Sequence, residues 1–388
     1  MIVDKVTAVA KGFHEIAEIV RAEAHGGTVL LFKDASQRSQ DLAPALALAG
    51  LKVKQREVTD KILFDYVALN ATPVPEGTMA VVGAGGRAAV ECAKGIRLPR
   101  ALPRLLIPLD LSGLDALDER AFFCTKGEAF CLSCEDVRVL FDAELLSSSD
   151  HVREGLGILL ARLAETTDGA YEALVEQGKC PADALEGVKR AAADLQKIKE
   201  SDAASGVTKV ALEWTKEGGL FSLPAAGTSH LASMLAARKT GGRAQDHLFV
   251  ASYALLRLYA RYLTDLPLDR AAPPDRTRNA ELLKETCRLD LLPLLSRGKP
   301  YAEGYGERTH VTAEYKEDFA ECLQEKVLPL STLARLYRRA PKPTDEGTLL
   351  SAPAILMLLS LTGEAVSGYP LLRQIKMTGL LEPLLAVG

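Results

Sequence analysis

The sequence predicts an α/β N-terminal domain, doubly wound around a mainly parallel sheet, followed by an all-α C-terminal domain. Three observations carry that expectation. Short β-rich runs alternate with helical stretches over residues 1–146, which is the pattern of a parallel sheet covered by helices. One of those runs opens directly into a glycine-rich turn and then a helix. After Leu146 the β-rich runs stop and helical periodicity takes over.

The first unit of the alternation is Gly26-Gly27-Thr28-Val29-Leu30-Leu31-Phe32-Lys33-Asp34, a strand ending in an acid. Leu42, Ala45, Leu46 and Ala49 follow at helical spacing. Met79-Ala80-Val81-Val82 then runs into Gly83-Ala84-Gly85-Gly86-Arg87, and Ala88 to Ile96 has helix-forming composition. Leu105-Leu106-Ile107-Pro108 and Val137 to Asp142 read as two further buried strands. Ser147-Ser148-Ser149-Asp150 offers N-cap chemistry to a helix over Val152–Ala164. Helical spacing recurs over Ala182–Ile198, His230–Arg238, Leu248–Leu263 and Phe319–Arg338. The domains are therefore expected at 1–146 and 147–388, each long enough for its own core. No repeat or low-complexity tract interrupts them.

Apolar residues make up 48% of the chain and charged residues 25%, with a formal net charge of -4. Acids and bases are interspersed, which leaves no basic footprint for nucleic acid or an anionic membrane. The expected partner is a small-molecule substrate, with homo-oligomerisation left open. There is no basic segment leading into an apolar core at the N-terminus, and no run of about 20 apolar residues that would span a bilayer. The expected location is the cytoplasm. Seven cysteines, an odd number, fit reduced thiols. Cys124, Cys131 and Cys134 include a single Cys-x-x-Cys, read as structural thiols on a β-hairpin rather than a zinc site. His14, His25 and His310 stand in polar stretches and read as surface residues, and Trp214 and Phe221 as core anchors.

A strand that enters Gly83-Ala84-Gly85-Gly86 and leaves as a helix suits a diphosphate, because residues without Cβ permit close approach and the helix N-terminus presents free N–H groups. The spacing is not the strict G-x-G-x-x-G, and a tight strand-to-helix turn explains it equally well. Asp34, closing the preceding strand, suits a ribose hydroxyl or, more simply, a helix N-cap. Lys94, two turns into the helix, reaches a phosphate or stays on a solvated surface.

The run Val82-Gly83-Ala84-Gly85-Gly86-Arg87 through Ala93-Lys94 resembles the glycine loop of glycerol and glycerol-1-phosphate dehydrogenases, within the clan of iron-containing alcohol dehydrogenases and 3-dehydroquinate synthase. It departs at Ala84 and Arg87. Leu106-Ile107-Pro108-Leu109-Asp110 occupies the place of the family's Pro-Thr-Thr and lacks both threonines. Gly155 to Arg162, with Asp168 beyond, resembles the segment carrying the family's metal-binding acid, which falls here on Ile158. Gly227-Thr228-Ser229-His230-Leu231-Ala232-Ser233-Met234 resembles Gly-Ser-x-His-x-x-x-His, keeping His230 and replacing the second histidine with Met234. Counting back from Arg257-Leu258-Tyr259 places the third ligand position at Ala244, one turn from His247. Gly368-Tyr369-Pro370-Leu371-Leu372 and Gly379-Leu380-Leu381 are similar to the family's closing helix.

The resemblance implies a dehydroquinate synthase-like fold with its site in an interdomain cleft. It also implies NAD or NADP held at Asp34, Gly83, Gly85, Gly86 and Lys94, and a zinc or iron ion held by a carboxylate and two imidazoles. Isoleucine and alanine cannot coordinate, so a family-type metal site is not expected. His230, with His247 or Asp246 re-registered beside it, is what remains for a metal. Two readings follow. In one, the chain is a divergent NAD(P)-linked oxidoreductase acting on a small polyol or sugar phosphate, with His230 or His247 as general base. In the other, it is a non-catalytic member that binds a nucleotide or polar metabolite, or a 3-dehydroquinate synthase-like lyase.

Overall fold

The structure, a computed structural model, describes residues 6–125, 128–134, 137–178, 181–216, 218–262, 305–323, 330–342, 355, 358–359 and 371–377. The chain divides into two compact units. The first comprises Met1–Lys126, Phe130–Gly155 and Lys199–Glu217; the second comprises Gly127–Ala129, Leu156–Ile198 and Gly218–Gly388.

The strands among the described residues are β1 (Val6–Val9), β2 (Thr28–Lys33), β3 (Lys52–Glu57), β4 (Thr78–Gly85), β5 (Arg104–Pro108), β6 (Arg120–Thr125), β7 (Glu128–Ser133) and β8 (Val137–Phe141). Six form one sheet in the order β1-β8-β5-β4-β2-β3, while β6 and β7 make a separate two-stranded sheet. Every neighbouring pair in the large sheet is parallel. The runs that the sequence marks as strands are β2, β4, β5 and β8. The other two escape an apolar pattern for physical reasons. β3 is an edge strand of sequence KVKQRE with mostly exposed side chains, and β1 has only four residues.

Helices α1 (Gly12–Glu23) and α2 (Gln37–Leu48) cover one face of the sheet. Ile16, Val20, Leu42 and Leu46 pack there with Val29, Leu31, Val82 and Ile107 in one apolar cluster. Burial of each such side chain contributes roughly 1.5–3 kcal/mol. After α3 (Tyr66–Ala71), helix α4 (Arg87–Gly95) is buried along its whole length. A short α5 (Ala143–Ser147) follows β8, capped by Asp142, whose carboxylate accepts the N–H groups of Glu144 and Leu145.

α6 (Val152–Gln177) contains the residues at which the chain passes from the first unit to the second. α7 (Ala182–Gln196) belongs to the second unit, but α8 (Ala203–Trp214) returns to the first and packs on α5. A single boundary near residue 147 assigns that segment to the helical domain. The structure differs because Val207, Val210, Ala211 and Trp214 form an apolar stripe that is buried within the first unit.

The second unit continues with α9 (Thr228–Thr240), α10 (Ala244–Tyr262), α11 (Tyr305–Glu321), α12 (Ser331–Arg339) and α13 (Leu371–Met377). α9 and α10 pack closely on each other. Of the helical stretch expected over Phe319–Arg338, Phe319–Glu321 lies in α11 and Ser331–Arg338 in α12, and residues 324–329 lie outside the described residues. Gly368–Pro370 and Gly379–Leu381 lie outside the described residues, as does Leu263. Among the described residues no helix is long and apolar enough to cross a membrane.

Candidate functional site

The chain runs from β2 outward to β3 and then returns to β4 on the opposite side of β2. The ends of β2 and β4 therefore flank the switch point of the sheet, where ligands of open α/β folds bind. Asp34 follows β2, and Gly85 and Gly86 close β4. Gly85 has φ +134°, a conformation that L side chains rarely adopt. Gly83 permits α4 to lie against the strand, since a Cβ there would sit 2.7 Å from the Ala89 carbonyl oxygen.

The space that the glycines open is filled by the protein's own groups. The Gly86 N–H donates to Asp34 Oδ2 at 2.6 Å. Asp34 Oδ1 accepts from the Ser36 N–H at 2.9 Å and the Ser39 hydroxyl at 2.7 Å. A Cβ on Gly85 would lie 2.3 Å from Asp34 Oδ2, and one on Gly86 would lie 2.4 Å from Ser112 Oγ. Ser36, rather than Asp34, caps α2 by accepting the Ser39 N–H. Asp34 reaches instead to the N-terminus of α4, where a negative charge is favoured.

A second carboxyl group stands beside this one. Asp110 accepts the Ser112 N–H at 2.8 Å. Burial raises it above the ordinary carboxylate range, with the His151 imidazole opposing the shift. A diphosphate needs free N–H donors and positive charge. Here the Gly86 N–H is given to a carboxylate, with another carboxyl nearby, so a diphosphate seated in this loop has to displace Asp34 from the N–H.

Lys94 is spent on the protein's own groups. Its ammonium is buried and donates to Glu91 at 3.0 Å, to the Asp115 carbonyl at 2.6 Å and to the Arg120 carbonyl at 2.8 Å. Those three bonds use its three protons. Burial lowers the affinity of Lys94 for its proton, but the Glu91 and Asp118 carboxylates more than offset this and hold it above its ordinary value. Burial pushes Glu91 up, against the pull of Lys94. Glu91 also accepts the Phe122 N–H, and Arg87 pairs with Asp115 at 3.2 Å. The network fixes α4 to the start of β6.

In the second unit, Ile158, Arg162, Glu165 and Gly169 recur at helical spacing along α6. Arg162 donates to the carbonyls of Leu220, Phe221 and Leu223. Gly169 allows Pro224 to approach so closely that a Cβ would sit 2.5 Å from its carbonyl oxygen. These contacts set the turn that leads into α9. The Glu165 carboxylate then accepts both the His230 N–H at 3.0 Å and a contact from His230 Nδ1 at 2.9 Å. Both side chains are buried. Three residues further along α6, Asp168 Oδ1 accepts the Tyr259 hydroxyl at 2.5 Å and the Leu371 N–H at 3.1 Å. Desolvation pushes Asp168 up to about 7, with the Tyr259 and Thr228 hydrogen bonds opposing it.

Glu165 is the site residue that motif reading passes over. A signal for it exists in the sequence: α6 is buried from Leu156 to Tyr171, yet carries Arg162, Glu165, Thr166, Thr167 and Asp168. Polar groups on a helix buried all round must find partners. His247 is fully buried on α10, with Nδ1 3.3 Å from the Arg243 carbonyl oxygen. Asp246 pairs with Arg243 at 2.8 Å. Among the described residues no group of three or more His, Cys, Asp or Glu side chains is arranged to hold a metal ion. At the positions the resemblance assigns to ligands, Ile158 and Ala244 are buried and apolar, as is Met234, and His230 spends Nδ1 on Glu165. The residues present do not fit the family's metal.

His14, His25 and His310 are exposed, and Trp214 and Phe221 are buried. Cys124 lies in β6 and Cys131 in β7, with Cys134 just beyond.

The chain shares its fold, a parallel sheet with a glycine turn at its switch point and a helical unit, with solved alcohol dehydrogenases, one of them iron-containing. An alcohol dehydrogenase from an archaeal halo-thermophile of a Red Sea brine pool matches with a TM-score of 0.52 at 11% identity, covering 97% of this chain and 96% of that one. An iron-containing alcohol dehydrogenase from Thermococcus thioreducens matches with a TM-score of 0.50 at 15% identity, covering 100% of both chains. A probable glycerol dehydrogenase from Sinorhizobium meliloti matches at 0.49 with 14% identity, covering 93% of this chain and 97% of that one. No family model and no curated protein sequence matches the chain.

Proposed function

We propose that this chain is a divergent oxidoreductase of the alcohol and polyol dehydrogenase type, acting on the hydroxyl of a small polyol or sugar phosphate without the family's metal. The observation that carries the reading is the buried His230–Glu165 pair. A metal ion eases loss of a hydroxyl proton by polarising the oxygen; a histidine oriented by a carboxylate achieves the same end by accepting that proton. Glu165 fixes the ring orientation through Nδ1. Its second bond, from the His230 N–H, holds the backbone of the same residue, so the base and its support move together. Asp168, on the same helix, is a second buried carboxyl that changes protonation near neutral pH. The dehydrogenase names of two structural neighbours with TM-scores of 0.50 and 0.52 support the reaction class, and a nicotinamide dinucleotide is the hydride acceptor that such a class uses.

A second reading has its own observation. Asp34 and Asp110 fill the glycine loop, as suits a protein that keeps the fold for binding a neutral polar metabolite and has given up the dinucleotide. One experiment separates the two. Purified protein is assayed with NAD and NADP against a panel of polyols and sugar phosphates, alongside His230→Gln and Glu165→Gln. The oxidoreductase reading expects turnover in the wild type, about 100-fold or greater loss of kcat in His230→Gln, and a smaller kcat loss with little change of KM in Glu165→Gln. Turnover unaffected by His230→Gln would remove this base, and a wild type inert across the panel would favour the binding protein.

A further inference from the structure

At the end of the sheet where β4 and β5 begin, the first unit holds a cavity of about 460 Å³. It is remote from the glycine loop. Thr78 opens β4 and Gly85 closes it, and seven residue steps of strand span about 23 Å. The lining includes Arg97, Arg100 and Arg104, together with Tyr66 and Cys134, and no acidic side chain among the described residues. Lys94 also borders it, with its charge already matched by Glu91. Three arginines thus line one concavity in a chain whose formal net charge is -4.

Each of the three is held in place without being neutralised. Arg100 donates one arm to the Thr78 carbonyl at 3.2 Å, and Arg104 donates one arm to the Ile96 carbonyl at 3.2 Å. The Arg97 guanidinium lies over the Tyr66 ring, 5.7 Å from its centroid. Tyr66 is itself braced by Phe123 and Phe130, with ring centroids at 5.1 and 5.2 Å. Among the described residues, Arg104 Nε is buried with no hydrogen-bond acceptor, and none of the three is in an ion pair. Carbonyl and aromatic contacts fix the groups while leaving their remaining N–H donors and their full charges available. A buried donor without an acceptor is costly, and like charges gathered in one concavity repel each other. A dianion with several acceptor oxygens relieves both, and the planar fork of arginine matches phosphate oxygens.

We propose that this cavity is a binding site for a phosphate-bearing small molecule, with the phosphate group held by Arg97, Arg100 and Arg104. Nothing in the proposed dehydrogenase chemistry requires it. The site lies at the strand starts, whereas the catalytic ends of α/β sheets are the strand ends, so its ligand is an effector or anchor rather than the reacting alcohol.

The test is calorimetric titration of the full chain with inorganic phosphate and then pyrophosphate at low ionic strength. One-site binding in the wild type is expected, weakened by about tenfold or more in Arg104→Gln and in the double variant Arg97→Gln/Arg100→Gln. Arg97 and Arg100 are exposed, so the double variant preserves the fold even where Arg104→Gln does not, and circular dichroism verifies both. Equal binding in wild type and variants, or no binding at millimolar phosphate, would overturn the proposal. Glu135 and Asp136 follow Cys134 in sequence and lie outside the described residues. Phosphate binding seen only in Glu135→Gln/Asp136→Asn would also overturn it, by showing that the chain supplies its own counter-ions.

Discussion

Asp168 shows how one buried carboxyl links stability to pH. Its folded-state value lies near 7 against an ordinary 3.8, because desolvation outweighs the hydrogen bonds from Tyr259 and Thr228. A carboxyl raised in this way binds its proton more tightly in the folded than in the unfolded chain. Its contribution is therefore complete below about pH 4 and is lost as pH rises toward 7. Asparagine preserves an acceptor for Tyr259 and for the Leu371 N–H and carries no charge. Asp168→Asn is expected to gain stability over the wild type as pH goes from 5 to 8, by ~2.5 kcal/mol from linkage. Denaturant unfolding at the two pH values measures this, and parallel profiles for the two proteins would count against it. At this same scale the sequence showed His230 through its motif and missed its carboxylate partner. Glu165 is 65 residues away in sequence, and only the close approach of α6 to the start of α9 joins the two.

Among elements, α4 is the one whose composition misleads most. Arg87, Glu91 and Lys94 give it the look of a solvated helix, yet every residue of it is buried. The charges are tolerated because each meets an opposite charge or a backbone group of the following segments. Lys94→Met would leave Glu91 buried without its cation, together with the Asp115 and Arg120 carbonyls. The expected cost is about 3–5 kcal/mol, read as a lower denaturation midpoint at unchanged slope. Gly83→Ala tests the packing of the same helix against β4. A Cβ there meets the Ala93 methyl at 2.6 Å and the Ala89 carbonyl at 2.7 Å, so about 1–3 kcal/mol of stability should be lost. An unchanged melting temperature would mean that α4 shifts freely on the sheet. Hydrophobic runs made β2, β4, β5 and β8 legible because parallel strands are buried on both faces. β3 stayed hidden because an edge strand has no such requirement.

For the molecule as a whole, the loss of ligands at Ile158 and Ala244 carries a prediction about metal removal. A protein stabilised by a bound ion loses that binding energy when the ion is taken away. This chain should keep its melting temperature and its turnover after dialysis against a strong chelator. A fall in either, restored by zinc or iron, would show that a site has been rebuilt from other donors. The alternation of strand and helix, the change to pure helix after Leu146 and the glycine turn are local patterns, set by periodicity and backbone freedom, and they were sufficient to place this chain in its fold. The filling of the glycine loop by Asp34, the pairing of Glu165 with His230, the return of α8 to the first unit and the lining of one cavity by Arg97, Arg100 and Arg104 follow from none of those patterns. Each joins groups through packing of elements distant in sequence or through the geometry of a loop. Electrostatic and hydrogen-bond partners are chosen by distance in space, which a linear sequence does not record.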